Sequence, residues 1–289
     1  MRLLLVRHGE TVDNVAGLYS GVRDSPLTAH GVLQARRLAA HLVSSSFGSP
    51  IERVFSSDLQ RAANTAQAIV DTAAAASSTK FGIPDRAAPI PLVKVTELRE
   101  RDFGSAEGKR FGTPRTDAET HEEMRVRAER FVQARLGPLL VRDAVSGGAK
   151  SVGTVVIVAH GIILNSLLRA LLMRYAPAEL ARLTGPGPAG QSVYLASWSN
   201  TGYLQAVVKA GPTSGLFIGG SSRSSVTSSG TLPSGPTIGL VVERVNVLDH
   251  LEGLKKTRGG IGSAQYDNRQ RTISSFFGPA TKKLREAQS

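Results

Sequence analysis

Two histidines of the 289-residue chain stand where a sheet protein can put them to chemical use. His8 follows the apolar run Leu3–Val6 and one arginine, within Arg7-His8-Gly9-Glu10-Thr11, and His160 directly follows TVVIVA (Thr154–Ala159) and precedes Gly161. A neutral imidazole is a nucleophile, a proton carrier or a metal ligand. A glycine after it lets backbone approach a bound group closely. Arg7 flanks His8, and Arg61 opens the helical stretch after Ser56-Ser57-Asp58-Leu59-Gln60. A guanidinium fork matches paired phosphate oxygens and stays charged at working pH. Between the two histidine runs lies Glu97-Leu98-Arg99-Glu100-Arg101-Asp102-Phe103-Gly104-Ser105-Ala106-Glu107-Gly108, a loop whose arginines favour ionised carboxylates. Two histidines with two arginines suit phosphoryl transfer without a metal, and metal ligation by His8 and His160 is the alternative. His30, in the first turn of a helix, and His41, His121 and His250 lack this strand-end context and read as structural.

Positioning these groups requires buried strands joined by helices. The short continuous runs Leu3–Val6 and Thr154–Ala159 predict strands covered on both faces. Arg53–Phe55 and Leu92–Val95 are weaker strands, and Ser192–Trp198 with Tyr203–Val208 form a late antiparallel pair. Thr28–Val43 reads as a helix capped by Thr28, with Val32, Leu33, Ala35, Leu38, Ala39 and Leu42 on one stripe. Leu59–Ala76 is an alanine-rich helix, Glu122–Leu136 presents Met124, Ala128, Phe131 and Leu136 on one face, and Leu164–Tyr175 closes the series. Strand and helix alternate as in an open α/β sandwich, where sites form at the carboxyl ends of strands.

Composition narrows the field. At 41% hydrophobic the chain can bury a sizeable core, and no apolar run approaches the ~20 residues a membrane helix needs. Zero cysteines exclude disulfides, thiol nucleophiles and thiolate metal sites, and suit a reducing compartment. The four-residue run before Arg7 is too short for a signal peptide. The net charge of +12 divides unevenly: residues 1–210 hold 25 basic against 18 acidic side chains, whereas residues 255–289 hold 8 against 2. Direct nucleic-acid binding has only this charge in its favour, since no aromatic-interleaved basic platform is present. From 211 to 236, 20 of 26 residues are Gly, Ser, Thr or Pro, a flexible linker by composition. Residues 1–210 therefore read as the folded domain, and 237–289 as an extension holding one strand (Ile238–Leu248) and a largely disordered basic tail.

Four blocks carry a resemblance. Arg7-His8-Gly9-Glu10-Thr11 with Asn14, Ser56-Ser57-Asp58-Leu59-Gln60-Arg61, Leu98-Arg99-Glu100-Arg101-Asp102-Phe103-Gly104 with Glu107-Gly108, and Val158-Ala159-His160-Gly161 resemble, in order and spacing, the histidine phosphatase superfamily. The resemblance covers residues 1–210 and implies a phosphoglycerate mutase-like fold, a three-layer α/β/α sandwich with a mostly parallel sheet. It implies that His8 becomes transiently phosphorylated, that Arg7, Arg61 and His160 line the phosphate pocket, and that Glu100 is the general acid, with Glu97 the competing candidate. Asn14 and the Gly161 amide would be further phosphate donors. Ala106 departs from the pattern, for many relatives carry tryptophan before Glu-Gly. No cofactor is implied. The stretch from Gly104 to His160 is short, as in the phosphatase branches, so the expected activity is hydrolysis of a small phosphomonoester, with a phosphomutase as the alternative. The basic loop residues Arg101, Lys109, Arg110 and Arg115 would suit a sugar phosphate or bisphosphate, and equally a solvated loop.

The tail carries a separate signal. Gln270-Arg271-Thr272-Ile273-Ser274-Ser275-Phe276-Phe277 resembles the box by which replication and repair proteins bind the sliding clamp, proliferating cell nuclear antigen (PCNA). One helical turn would present Ile273, Phe276 and Phe277 as an apolar plug beside Gln270. The same aromatics could instead fold back onto the domain. A clamp-docking interaction protein with a phosphatase-like domain is thus a further reading, and it implies nuclear as well as cytoplasmic residence.

Overall fold

A computed structural model describes residues 1–44, 50–79, 89–145, 153–175, 196–211, 237–256 and 261–266. Six strands, β1 (Arg2–Arg7), β2 (Ile51–Ser57), β3 (Leu92–Val95), β4 (Thr154–Ala159), β5 (Tyr203–Gly211) and β6 (Thr237–Val247), form one sheet in the order β3-β2-β4-β1-β5-β6. β1 through β4 run parallel, and β5 and β6 add an antiparallel edge beside β1. Alternate residues of the central strands serve two cores. Leu4, Val6, Val156 and Val158 pack on Leu38, Leu42, Ala66 and Ile69 of α2 (Ala29–Ser44) and α3 (Gln60–Thr79). Leu3, Leu5, Val155 and Ile157 face Met124, Phe131, Leu140 and Leu167 of α4 (His121–Phe131), α5 (Gly137–Val145) and α6 (Gly161–Tyr175). This double duty is why both runs are apolar without alternation. Each such leucine contributes about 1.5–3 kcal/mol through burial.

Several elements depart from the sequence reading. Of the expected Ser192–Trp198 strand, 196–198 are irregular and 192–195 lie outside the described residues; among the described strands β5 takes β1 and β6 as neighbours. On α2, Leu33 is exposed and Gln34 is buried in its place, because the Gln34 amide oxygen accepts the Glu10 N–H at 2.9 Å. Thr28 does cap α2, its hydroxyl accepting the Gly31 N–H. The helix expected to end at Leu136 continues through a π-helical turn (Val132–Leu136) into α5. Pro138 can donate no backbone bond and crowds the carbonyl four residues back, and the wider turn accommodates it. The expected Ile238–Leu248 strand is β6, a member of the main sheet. After it, residues 249–256 and 261–266 lie against α2 rather than forming a loose tail: the Ala29 N–H meets the Ala264 carbonyl, the Tyr266 N–H meets the Leu27 carbonyl, and Arg36 reaches the Tyr266 hydroxyl. The linker from 212 and the Gln270–Phe277 motif lie outside the described residues. Among the described residues no helix is long and apolar enough to cross a membrane.

Candidate active site

The sheet brings the two strand-end histidines together by register. Arg7 pairs with Ala159 across β1 and β4, so the next residues, His8 and His160, leave the sheet side by side. Their ring centroids are 5.0 Å apart at 59°, and the His8 N–H binds the Ala159 carbonyl. β1 and β4 lie at the centre of the sheet, and the chain crosses from β1 over β4 to reach β2, the topology that opens a crevice at strand carboxyl ends. Gly9 is required there by space: a Cβ would fall 2.6 Å from the Gly31 carbonyl oxygen.

His8 is buried, with Nδ1 2.7 Å from the Gly9 carbonyl oxygen. That acceptor places the ring proton on Nδ1 and leaves the Nε2 lone pair for attack. Burial, then the charges of Arg61 and Arg7, hold the His8 pKa well below the ordinary imidazole value, so the ring is neutral. His160 is likewise held well below the ordinary value, by burial first and then by Arg61, His8, Arg7 and Arg127.

Arg61 is 1% exposed, the largest side chain so deeply buried among the described residues. Its Nε donates to His160 Nδ1 at 3.1 Å, Nη1 to the Arg23 carbonyl, and Nη2 to the Ser20 and Gly21 carbonyls. With Nδ1 accepting, the His160 proton sits on Nε2, which is buried and has no protein partner. Arg7 offers a second orphan donor: its Nη1 binds the Trp198 carbonyl, and its buried Nε binds nothing in the protein. Two unpaired buried donors beside a neutral imidazole form a seat for an anion, because such groups are costly to leave unsatisfied.

Glu100 sits beneath α6. Its carboxylate accepts the Ile162 and Ile163 N–H groups at 3.0 and 3.1 Å and the Arg101 N–H at 2.9 Å. A Cβ on Gly161 would lie 4.0 Å from Oε2, which places Gly161 directly beside this carboxylate. Glu97 is half-buried in a 3-10 turn (Thr96–Leu98), and its backbone carbonyl accepts from Arg127. Of the two acids, Glu100 is the one built into the pocket. Asn14 belongs to α1 (Val12–Ala16), where its Oδ1 accepts from the Thr11 N–H and Asn200 Nδ2, leaving its amide nitrogen for a ligand. The structure thus gathers Arg7, His8, Arg61, Glu100, His160 and Gly161, with Asn14 at the edge.

Several supporting residues escaped the sequence reading. Glu107, to which the sequence assigns no role, accepts the N–H groups of Gly21, Val22, Arg23 and Phe103. It thereby shapes the loop whose carbonyls hold Arg61. Thr65 bridges the Gly9 N–H and the Arg61 carbonyl, one helical turn after Arg61. Arg127 ties the carbonyls of Glu97, Arg99 and Glu100 to Glu119. Only the spacing of Thr65 from Arg61 is a sequence signal, since the others act across long separations. Beside Glu100 opens a cleft of about 830 Å³, whose walls include Val22, Arg99, Asp117, Val126 and Arg130. Of the four basic loop residues, which suit a phosphorylated substrate and a solvated loop equally by sequence, none lines this cleft: Arg101 binds the Glu119 carbonyl, and Arg115 lies over the Tyr19 and Phe103 rings. Among the described residues no cluster of three metal-ligating side chains is present.

A neutral imidazole, two guanidiniums and a buried carboxyl at the carboxyl edge of an α/β sheet define a phosphoryl-transfer enzyme. The chain belongs to the histidine phosphatase superfamily (branch 1), whose sequence profile it matches over residues 3–204. It is 30% identical over 285 residues to a probable phosphatase of Schizosaccharomyces pombe, covering 94% of this chain and 78% of that protein. An adenosylcobalamin/alpha-ribazole phosphatase of Escherichia coli is 39% identical over 107 residues, 37% of this chain and 43% of that one. A probable phosphoglycerate mutase of Proteus mirabilis is 31% identical over 194 residues, 62% and 78%. Among solved structures, a mycobacterial glucosyl-3-phosphoglycerate phosphatase shares the fold at a TM-score of 0.53 and 23% identity, over 72% of this chain and 91% of that one. The enzyme class is hydrolysis of phosphoric monoesters.

Proposed function

We propose that the chain is a metal-independent phosphatase that hydrolyses a small phosphomonoester through phospho-His8. The observation that carries this reading is the neutral His8 ring beside the unpaired donors of Arg7 and His160. In the first step His8 Nε2 attacks phosphorus and the P–O bond to the leaving group breaks. Arg7 and Arg61 offset the charge of the equatorial oxygens, neutral His160 donates its Nε2–H to one of them, and protonated Glu100 gives its proton to the leaving oxygen. In the second step the Glu100 carboxylate takes a proton from water, whose oxygen attacks phosphorus, and the P–Nε2 bond breaks. His8 is regenerated, Glu100 is again protonated, and inorganic phosphate leaves.

His8→Ala is expected to abolish phosphate release, and the wild type quenched in alkaline denaturant is expected to carry phosphohistidine. Retained turnover by His8→Ala overturns the assignment. A panel of sugar phosphates, phosphoglycerates and nucleotides separates hydrolysis from phosphomutase chemistry. Phosphate release points to hydrolysis, and isomerised phosphoglycerate without release points to the mutase alternative.

A second reading concerns docking, and we propose it for the Gln270–Phe277 motif: binding of the sliding clamp, with residence in nucleus and cytoplasm. Its support is the motif itself together with Tyr266, four residues before Gln270, which is exposed and held by the Leu27 carbonyl just before α2 and by Arg36 of α2. Clamp pull-down by the wild type, lost in Phe276→Ala/Phe277→Ala, is the expected result. Equal retention of both forms, or of neither, defeats it.

A further inference from the structure

We propose that Asn246 and His250 are positioning residues for the nucleophile, acting through the loop 198–202. The proposal rests on the reading of His8 as the phosphorylated residue. The loop holds the catalytic strand end from one side. The Trp198 carbonyl accepts from Arg7 Nη1, and the Gly202 carbonyl accepts the Arg7 N–H. The Thr201 N–H reaches the carbonyls of Arg7 and His8 at 3.0 and 3.2 Å. Asn200 Nδ2 reaches the His8 carbonyl at 3.2 Å and Asn14 Oδ1 at 3.1 Å. On the opposite side the His8 N–H is held by the Ala159 carbonyl and the Gly9 N–H by Thr65, so the loop supplies one of the two walls that fix where the His8 backbone turns off β1.

From the other side the loop is held by residues of the extension. Asn246 Oδ1 accepts the Ser199 N–H at 2.9 Å, and its Nδ2 donates to Ser199 Oγ at 3.1 Å. The contact is tight, for a Cβ on Gly202 would lie 2.2 Å from Asn246 Oδ1. His250 Nε2 lies 3.0 Å from Thr201 Oγ1, whose own proton goes to the Asn200 carbonyl. The imidazole is therefore the donor. Thr201 and Asn246 have φ of 57° and 49°, and among the described residues they are the two non-glycine residues in the left-handed region. A β-branched residue there is strained, and strain persists only where surrounding contacts over-determine it. Both strained residues belong to this one relay. Asn246 and His250 lie beyond residue 204, where the superfamily match ends, so β6 and the 3-10 turn after it (Asp249–Leu251) carry into the fold a support that the matched region does not supply.

The test compares His250→Ala with His250→Gln, whose amide can still donate, and Asn246→Gly with Asn246→Asp, which keeps the acceptor. Asn246→Gly tolerates the positive φ, so its defect reports the lost side chain. The full chain is assayed for kcat and KM, for melting, and for the His8 ring resonances by two-dimensional NMR, which do not depend on turnover. Expected is a kcat loss of about tenfold in His250→Ala and Asn246→Gly, less than a full 1 Å misplacement can cost. KM should stay within threefold, the His8 resonances should move, and both defects should be largely restored in His250→Gln and Asn246→Asp. Folded His250→Ala and Asn246→Gly with wild-type kcat and unmoved His8 resonances overturn the relay. So does a loss that disappears on cooling further below the melting transition. If the wild type turns over no phosphomonoester, the phosphatase reading fails, and the His8 resonances still decide the relay.

Discussion

Arg61 Nε donates to His160 Nδ1 at 3.1 Å, and this one bond sets the donor pattern of the pocket. It commits the His160 proton to Nε2, leaves that proton unpaired, and fixes the guanidinium plane against three carbonyls.

Arg61→Lys keeps the charge but loses the fork. An ammonium cannot reach His160, Ser20, Gly21 and Arg23 together, so buried carbonyls are left unsatisfied at about 1–3 kcal/mol. Loss of one preorganised charge donor costs about 10²–10³ in kcat. Urea unfolding and steady-state kinetics check both numbers, and near-wild-type kcat/KM would show that Arg61 is structural only.

Glu107→Gln should behave as a milder version of the same defect. The carboxylate accepts four backbone N–H groups, and an amide offers one oxygen to them. We expect a loss of about 1–3 kcal/mol in stability and a fall in kcat/KM through the displaced 20–23 loop. A stability loss with unchanged kinetics would separate Glu107 from the Arg61 cradle.

Glu100→Gln removes the proton donor while keeping the shape. Alkyl phosphates, whose leaving alkoxide needs a proton, should slow by about 10²–10⁴, and p-nitrophenyl phosphate by much less. An equal loss on both substrates would argue against general-acid catalysis by Glu100.

Acid should destabilise the fold in a defined window. His8 and His160 are held well below 6.5, mainly by burial, and His250 is pushed down to about 4 by burial and by His41, against the opposing pull of Asp249. Each is neutral when folded and binds a proton near 6.5 when unfolded. The stability they confer is therefore complete above about pH 6.5 and lost as pH falls. Each contributes up to about 1.4 kcal/mol per pH unit inside its window. His250→Gln should flatten the stability profile between about pH 6.5 and 4 in urea melts, and an unchanged slope would contradict the shift.

Much of this was legible in the chain. Leu3–Val6 and Thr154–Ala159 announced strands covered on both faces, because each side chain had to be apolar for one of two cores. The helix at Thr28 was readable from its cap. The α4 helix was placed, but its continuation past Pro138 was not, because a proline normally ends a helix and the π turn depends on packing. Of the expected 192–198 strand only 196–198 are described, and they are irregular because their polar backbone groups serve Arg7 and Asn165 rather than a neighbouring strand. Within the tail the described segment 261–266 is attached by a few backbone bonds to Leu27 and Ala29, which polar composition does not reveal, and 267–289 lie outside the described residues.

By itself the sequence determined the residue types of the site, the strand ends that carry His8 and His160, and the superfamily. Those follow from local pattern, since a motif binds its chemistry to neighbouring positions. Tertiary structure alone decided which nitrogen of each imidazole is free, that Glu100 rather than Glu97 lies under α6, and that Glu107, Asn246 and His250 brace the pocket. Those are contacts between residues tens to hundreds of positions apart. Each exists only once the sheet register and the loop carbonyls have been fixed together.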